Sequence, residues 1–392
     1  MDATADTAAD TTGTLDEALQ RLHSSGPERL GRLTNHAPMA VEALAAHGLT
    51  GGIHRWLELY APRLEEYPSA VESITGDNWR AALGDPRRAA DWIAYFEREI
   101  GESAESGGRP WRDVLAAWWP RLLPGMYGGS THPVIRVGHA VRTLLSGEET
   151  QPRRTELAHG LGYWAARHHP TTGIALLPCG TSGTSGTSGT SGSSGMNGMN
   201  GMNGTSGTGN TGSTSNTGST GTAAAAALDT VEPIPDRDSG SFPDRLGRVA
   251  GLPAWAADVT DPDEAHRRLT ELVRAATHRY ATHGHGEETM LVHASTAPNA
   301  VLRAMPALPR TLWAPSLHAA WTASAAVTSM YAPAAPATYT APGTFTPEEV
   351  FERALAHGDE HVIKFADTAL DVGDERALAA ALRAIEISEP LT

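Results

Sequence analysis

The chain has 392 residues, with 45 Asp and Glu against 30 Lys and Arg, and a formal charge of -15 at neutral pH. That length suits one large or two ordinary domains, and the negative balance disfavours nucleic acid and anionic membrane as partners. One cysteine, Cys179, excludes an internal disulfide and every cysteine-based zinc spacing.

No run approaches the roughly 18 apolar residues of a spanning helix. Residues 1–12 lack the basic and apolar regions of a secretory signal, so a cytoplasmic location is expected.

In chain order, residues 1–14 read as a disordered acidic tail and 15–23 as a short helix. Asn35-His36-Ala37-Pro38 then opens a helical pattern of Met39, Val41, Leu44 and Ala45, with Pro38 in the first turn and Gly48 as the stop. Helical patterns follow at 52–66, 86–100 and 109–123, the last carrying Trp111, Trp118 and Trp119. The glycine-rich run 125–131 feeds His132-Pro133 and a helix containing Val134, Ile135, Val137, Val141 and Leu144. A further helix is predicted at 154–168.

From 180 to 222 the composition collapses to Gly, Ser, Thr and Asn with tandem triplets. Such a segment buries too little apolar surface to offset the entropy of ordering. Beyond it, helices are predicted at 262–282, 298–306, 314–331, 346–357, 359–371 and 374–386, with a short extended piece at 289–294.

The class is therefore mainly α. A single multi-helix domain is expected, with N-terminal half 15–179 and C-terminal half 228–392, interrupted by a disordered Gly/Ser/Thr insert at 180–227.

Lys364 is the only lysine beside 29 arginines. Arginine stays charged, whereas a buried lysine amine sheds its proton and becomes a base, a nucleophile or a carbon dioxide acceptor. On a helix, His361 and Lys364 lie three apart and reach toward one point.

Other motifs carry less. The Gly-x-Gly-x-x-Gly string at 207–212 follows no strand and sits where glycine recurs every third residue, so it is no dinucleotide fingerprint. His-x-acid pairs begin at His285 and His357, about as often as chance gives with 17 histidines. Ser130 lacks a nucleophile elbow. The histidines in ordered contexts, His36, His132, His139, His293 and His361, remain as candidates, since imidazole suits iron and zinc and each helix of a bundle can donate one ligand.

Taken together, 35–40, 111–136, 157–164, 292–298 and 358–364 resemble the questin oxidase-like family. The resemblance implies an oxidoreductase, an oxygenase that oxidises or cleaves an aromatic polyketide or anthraquinone-like substrate with dioxygen. It implies non-haem iron, with a reduced nicotinamide used by some members. Carried over by position, the metal ligands are His36, His132, His293, His361 and Lys364, with Lys364 and His361 also at the reacting centre. His139 stands where an aromatic residue is expected and is a substitute ligand only.

Four neutral imidazoles around a divalent ion leave a buried +2 charge, which is costly without an anion. Carboxylation of Lys364 supplies that anion and is expected. Trp118, Trp119 and Trp164 are candidate walls for a planar substrate. Two alternatives stand beside this reading: a metal-independent enzyme using Lys364 as Schiff base or general base, and a non-catalytic helical binding protein.

Overall fold

A computed structural model describes residues 3–101, 109–171, 173–177 and 223–392. Cys179 and residues 180–222 of the expected insert lie outside the described residues. The principal helices are α1 (Ala3–His23), α2 (Ala37–Ala46), α3 (Ile53–Tyr60), α4 (Ala89–Glu99), α5 (Trp111–Leu122), α6 (His132–Leu145), α7 (Gln151–Ala166) and α8 (Ala223–Asp229). They continue as α9 (Pro262–His283), α10 (His293–Ala304), α11 (Trp313–Tyr331), α12 (Pro347–His357), α13 (Glu360–Val372) and α14 (Glu375–Ile387). The sheets are minimal: β1 (Glu28–Arg29) pairs antiparallel with β2 (Leu33–Thr34), and β3 (Ala175–Leu177) pairs parallel with β4 (Gly251–Pro253).

Three expectations are corrected. The tail expected at 1–14 gives way to α1, which begins at Ala3 and docks on α2 and α7 through buried Leu15, Ala18, Leu19 and Leu22, one stripe at helical spacing. The insert's expected end at 227 moves back, because an alanine run makes α8 from Ala223. The extended piece at 289–294 is instead a helical turn, Glu288–Leu291, that runs into α10.

Helix α10 also starts earlier than expected and contains Pro298. Proline has no N–H to offer the carbonyl four residues back. Here the Ala294 carbonyl accepts instead from Ser324 Oγ on α11, at 2.6 Å.

One hydrophobic core spans both sides of residues 178–222, from Leu15 to Ala384. Trp118 packs edge-on against Trp92, Tyr95 and Phe96, while Trp119 meets Trp164 edge-on and donates to Ser316 Oγ at 2.8 Å. All three candidate wall tryptophans are thus core members. Among the described residues no helix is long and apolar enough to cross a membrane.

Close helix contacts set the centre. Helix α6 packs on α7 and α10, and α13 packs on α2, α10 and α14. At Gly138 on α6, an added Cβ would lie 2.5 Å from Ala300 Cβ and 2.6 Å from its Cα. Backbone cannot retreat from such an overlap as a flexible side chain can. Gly138→Ala is therefore expected to force α6 and α10 apart at a cost of about 1–3 kcal/mol, read as a melting temperature several degrees lower; an unchanged melting temperature would contradict this close packing.

Candidate metal centre

Four histidines on four helices converge, and each sits at or near a helix start. His36 is the N-cap of α2, His132 and His293 are the first residues of α6 and α10, and His361 is the second residue of α13. The local sequence explains three of these starts. Pro38 and Pro133 take the first-turn positions where a missing N–H costs nothing. Asp359 caps α13 by accepting from the N–H groups of His361 and Val362, both at 3.0 Å.

The turn before His132 is unusual. Gly129, Ser130 and Thr131 hold φ values of 55°, 54° and 69°, left-handed backbone that is unfavourable for the latter two residues. It is held by close packing, since a Cβ on Gly128 would overlap the Arg167 carbonyl. The turn aims the Gly129 carbonyl at His132 Nδ1, 2.7 Å away.

His132 Nε2 lies 2.8 Å from His36 Nε2 and 2.8 Å from His293 Nε2. The His361 ring centroid is 4.5 Å from that of His36 and 5.7 Å from those of His132 and His293. Lys364 is buried, and among the described residues its Nζ has no hydrogen-bond partner, as is also true of His36 Nδ1. His361 has the most exposed side chain of the four, at 12%, so the centre meets solvent on its side.

Tautomers follow from the partners. A carbonyl only accepts, so His132 Nδ1 donates to Gly129 and His293 Nδ1 donates to the Met290 carbonyl at 3.0 Å. In neutral imidazoles that leaves lone pairs on both Nε2 atoms, facing each other at 2.8 Å. A proton or a Lewis acid must relieve their repulsion. Protonation is opposed: burial and then Lys364 push the His293 imidazole down to about 3, and burial with the neighbouring histidines and Lys364 holds His36, His132 and His361 well below the usual range. Burial likewise pushes the Lys364 amine down to about 7, against the pull of Glu360 and Asp359. The donor set therefore fits a cation that accepts several nitrogen lone pairs.

A carboxylate backs this set. Glu360 is almost fully buried, with Oε1 3.7 Å from His36 Nδ1, and it accepts from Arg29 at 3.3 Å and Arg63 at 3.0 Å. Burial and then Asp359 push its carboxyl up while the two arginines oppose this. Sequence reasoning missed Glu360, although its place beside His361 was a usable signal. His36, His132 and His361 bring their ligand atoms within 4.8 Å of one another, as do Asp359, Glu360 and His361.

The structure thus gathers His36, His132, His293, His361 and Lys364. It separates His139, two helical turns beyond His132, whose Nδ1 lies 2.6 Å from Glu42 Oε2. This substitute ligand belongs to a different layer.

The fold and site define an all-helical protein built around a buried polyhistidine centre with one lysine. The chain belongs to the questin oxidase-like family, whose family model matches residues 33–369 and so includes all five of these side chains. Membership supports an oxidase function. A comparison with curated proteins finds no match.

In metal-free protein each of these imidazoles binds a proton in the unfolded state below about pH 6.5 but not in the folded state, so stability present above that pH is lost as pH falls. The loss is about 1.4 kcal/mol per pH unit for each histidine. Urea unfolding between pH 7.5 and 5 should show this slope, and His293→Gln should reduce it by one proton's worth. An unchanged slope would show that His293 is not held neutral.

Proposed function

We propose that this protein is a metal-dependent oxidase or oxygenase, with non-haem iron as its metal, acting on an aromatic, quinone-type substrate of polyketide character with dioxygen. The observation that carries this reading is the pair of facing imidazole lone pairs within a cluster of four buried histidines. The family supports oxidation as the reaction class.

The residues that would hold the ion are His36, His132, His293, His361 and Lys364. When bound, iron would supply electron exchange with dioxygen, which closed-shell organic substrates do slowly by themselves. The chain's own contribution is preorganisation. Backbone carbonyls fix the His132 and His293 tautomers, burial keeps the imidazoles unprotonated, and Glu360 places negative charge beside His36.

Lys364 completes the set as a carbamate. Its neutral amine forms a C–N bond to carbon dioxide and releases one proton, turning a potential cation into an anionic oxygen donor. Three helices, α2, α6 and α13, begin at this centre, and the partial positive charges of their N-termini favour an anion. A substrate would approach on the solvent side of His361, near Arg29 and Arg63, whose side chains are 19% and 31% exposed.

A second reading uses Lys364 alone, favoured by its amine being brought near neutrality, as a Schiff-base or general-base residue without metal.

Metal analysis of protein purified without chelator separates them. About one iron per chain is expected, and Lys364→Arg, which cannot be carboxylated, is expected to lose iron and activity together while keeping its helical spectrum. Normal iron content and turnover in that variant would overturn the role of Lys364. No iron after reconstitution, with borohydride trapping of a carbonyl substrate on Lys364, would establish the second reading.

A further inference from the structure

One to three helical turns beyond the histidines, the same four helices meet again in a layer of charged side chains. Glu42 on α2 accepts from Thr143 at 3.0 Å and Arg142 Nε at 2.9 Å, both on α6, besides its contact with His139. Asn299 and Arg303 on α10 donate to Asp371 on α13, both at 2.8 Å.

Asp367 is at the middle of this layer and is fully buried. Its Oδ1 accepts from His47 Nε2 at 2.8 Å and from Arg142 Nη1 at 2.7 Å, and its Oδ2 accepts from Arg303 Nη2 at 2.8 Å. His47 is the C-cap of α2, Arg142 belongs to α6 and Arg303 to α10. One carboxylate on α13 is therefore bonded to each of the other three helices that bear a centre histidine.

The geometry points to Asp367 as the positioning residue of the centre, a four-helix pin that sets the spacing of His36, His132, His293 and His361 without touching them. This rests on the metal reading proposed above. Each helix is a rigid rod, so a displacement at the pin becomes a displacement at the helix start. Two imidazole nitrogens at 2.8 Å leave little room for that. Burial alone would push the Asp367 carboxyl up, but Arg142 and Arg303 hold it well below the usual carboxylate range, so it is an anion with saturated partners.

The layer also takes up His139. Its ring is used by Glu42, which Arg142 bridges to Asp367.

The test uses full-length protein, cobalt(II) as the probe, and amide hydrogen exchange on metal-free samples. Asp367→Asn keeps the volume but loses the charge and one acceptor. Cobalt(II) affinity is expected to fall at least tenfold, with an altered visible spectrum, and exchange is expected to rise selectively in the first turns of α2, α6 and α10. Leu269→Ala, a core truncation on α9, serves as a control of comparable stability loss and should change neither. Should Asp367→Asn fail to fold, His47→Ala removes only the α2 leg, and is expected to weaken cobalt binding about threefold and raise exchange at the Met39 and Ala40 amides, which donate to the His36 carbonyl.

Wild-type affinity and protection in the folded Asp367 variant, or in His47→Ala, would overturn the pin. So would an equal loss in Leu269→Ala. Absence of cobalt binding by the wild type would remove the metal reading instead, and the exchange pattern alone would then decide on Asp367.

Discussion

The repulsion between the bare Nε2 atoms of His132 and His293 governs the arrangement around them. Each imidazole has its proton turned outward to a carbonyl, of Gly129 and Met290 respectively, so neither can donate to the other. Were these rings merely part of a core, one would be expected to flip, protonate or be replaced by an apolar side chain. They occur together with His36 Nδ1 and Lys364 Nζ, both buried without a hydrogen-bond partner among the described residues. Unsatisfied polar atoms in that number at one place are costly in an apolar interior; under the proposed reading a cation would take up the Nε2 lone pairs and an anionic lysine derivative would take up Lys364, while His36 Nδ1 faces Glu360.

The backbone around the centre is organised to sustain that tension. Left-handed Ser130 and Thr131 aim a carbonyl at His132, and the contact of Gly138 with Ala300 draws α6 onto α10. The four histidines all lie where helices begin, so a small set of caps and prolines fixes where the imidazoles stand. Further along the same helices, charged side chains pair with one another, with Glu42 and Asp367 buried among them. Two layers thus share one scaffold: an inner layer of neutral nitrogen donors and an outer layer of paired ions.

The inner layer was legible in the sequence because its signals are local. His36 and His132 precede prolines at helix starts, His361 and Lys364 share a helix face, and Lys364 is the only lysine. Helix positions were legible from periodicity for the same reason. The outer layer was hidden. Glu42, Arg142, Arg303 and Asp367 look like ordinary helix-surface charges, and their partners lie 64 to 320 residues away along the chain. Nothing local distinguishes such a charge from a solvated one. Residues 289–294 misled because Met290, Leu291 and Val292 form a short apolar run, which suits a strand and a buried helix start equally.

Anomalous scattering at the iron edge, from crystals of the iron-reconstituted protein, tests most directly whether these side chains were gathered to hold a metal. A single strong peak is expected among the ring nitrogens of His36, His132, His293 and His361, with a carboxyl group extending the Lys364 side chain toward it. No peak at that position, with water bridging the four rings and a plain amine at Lys364, would contradict it.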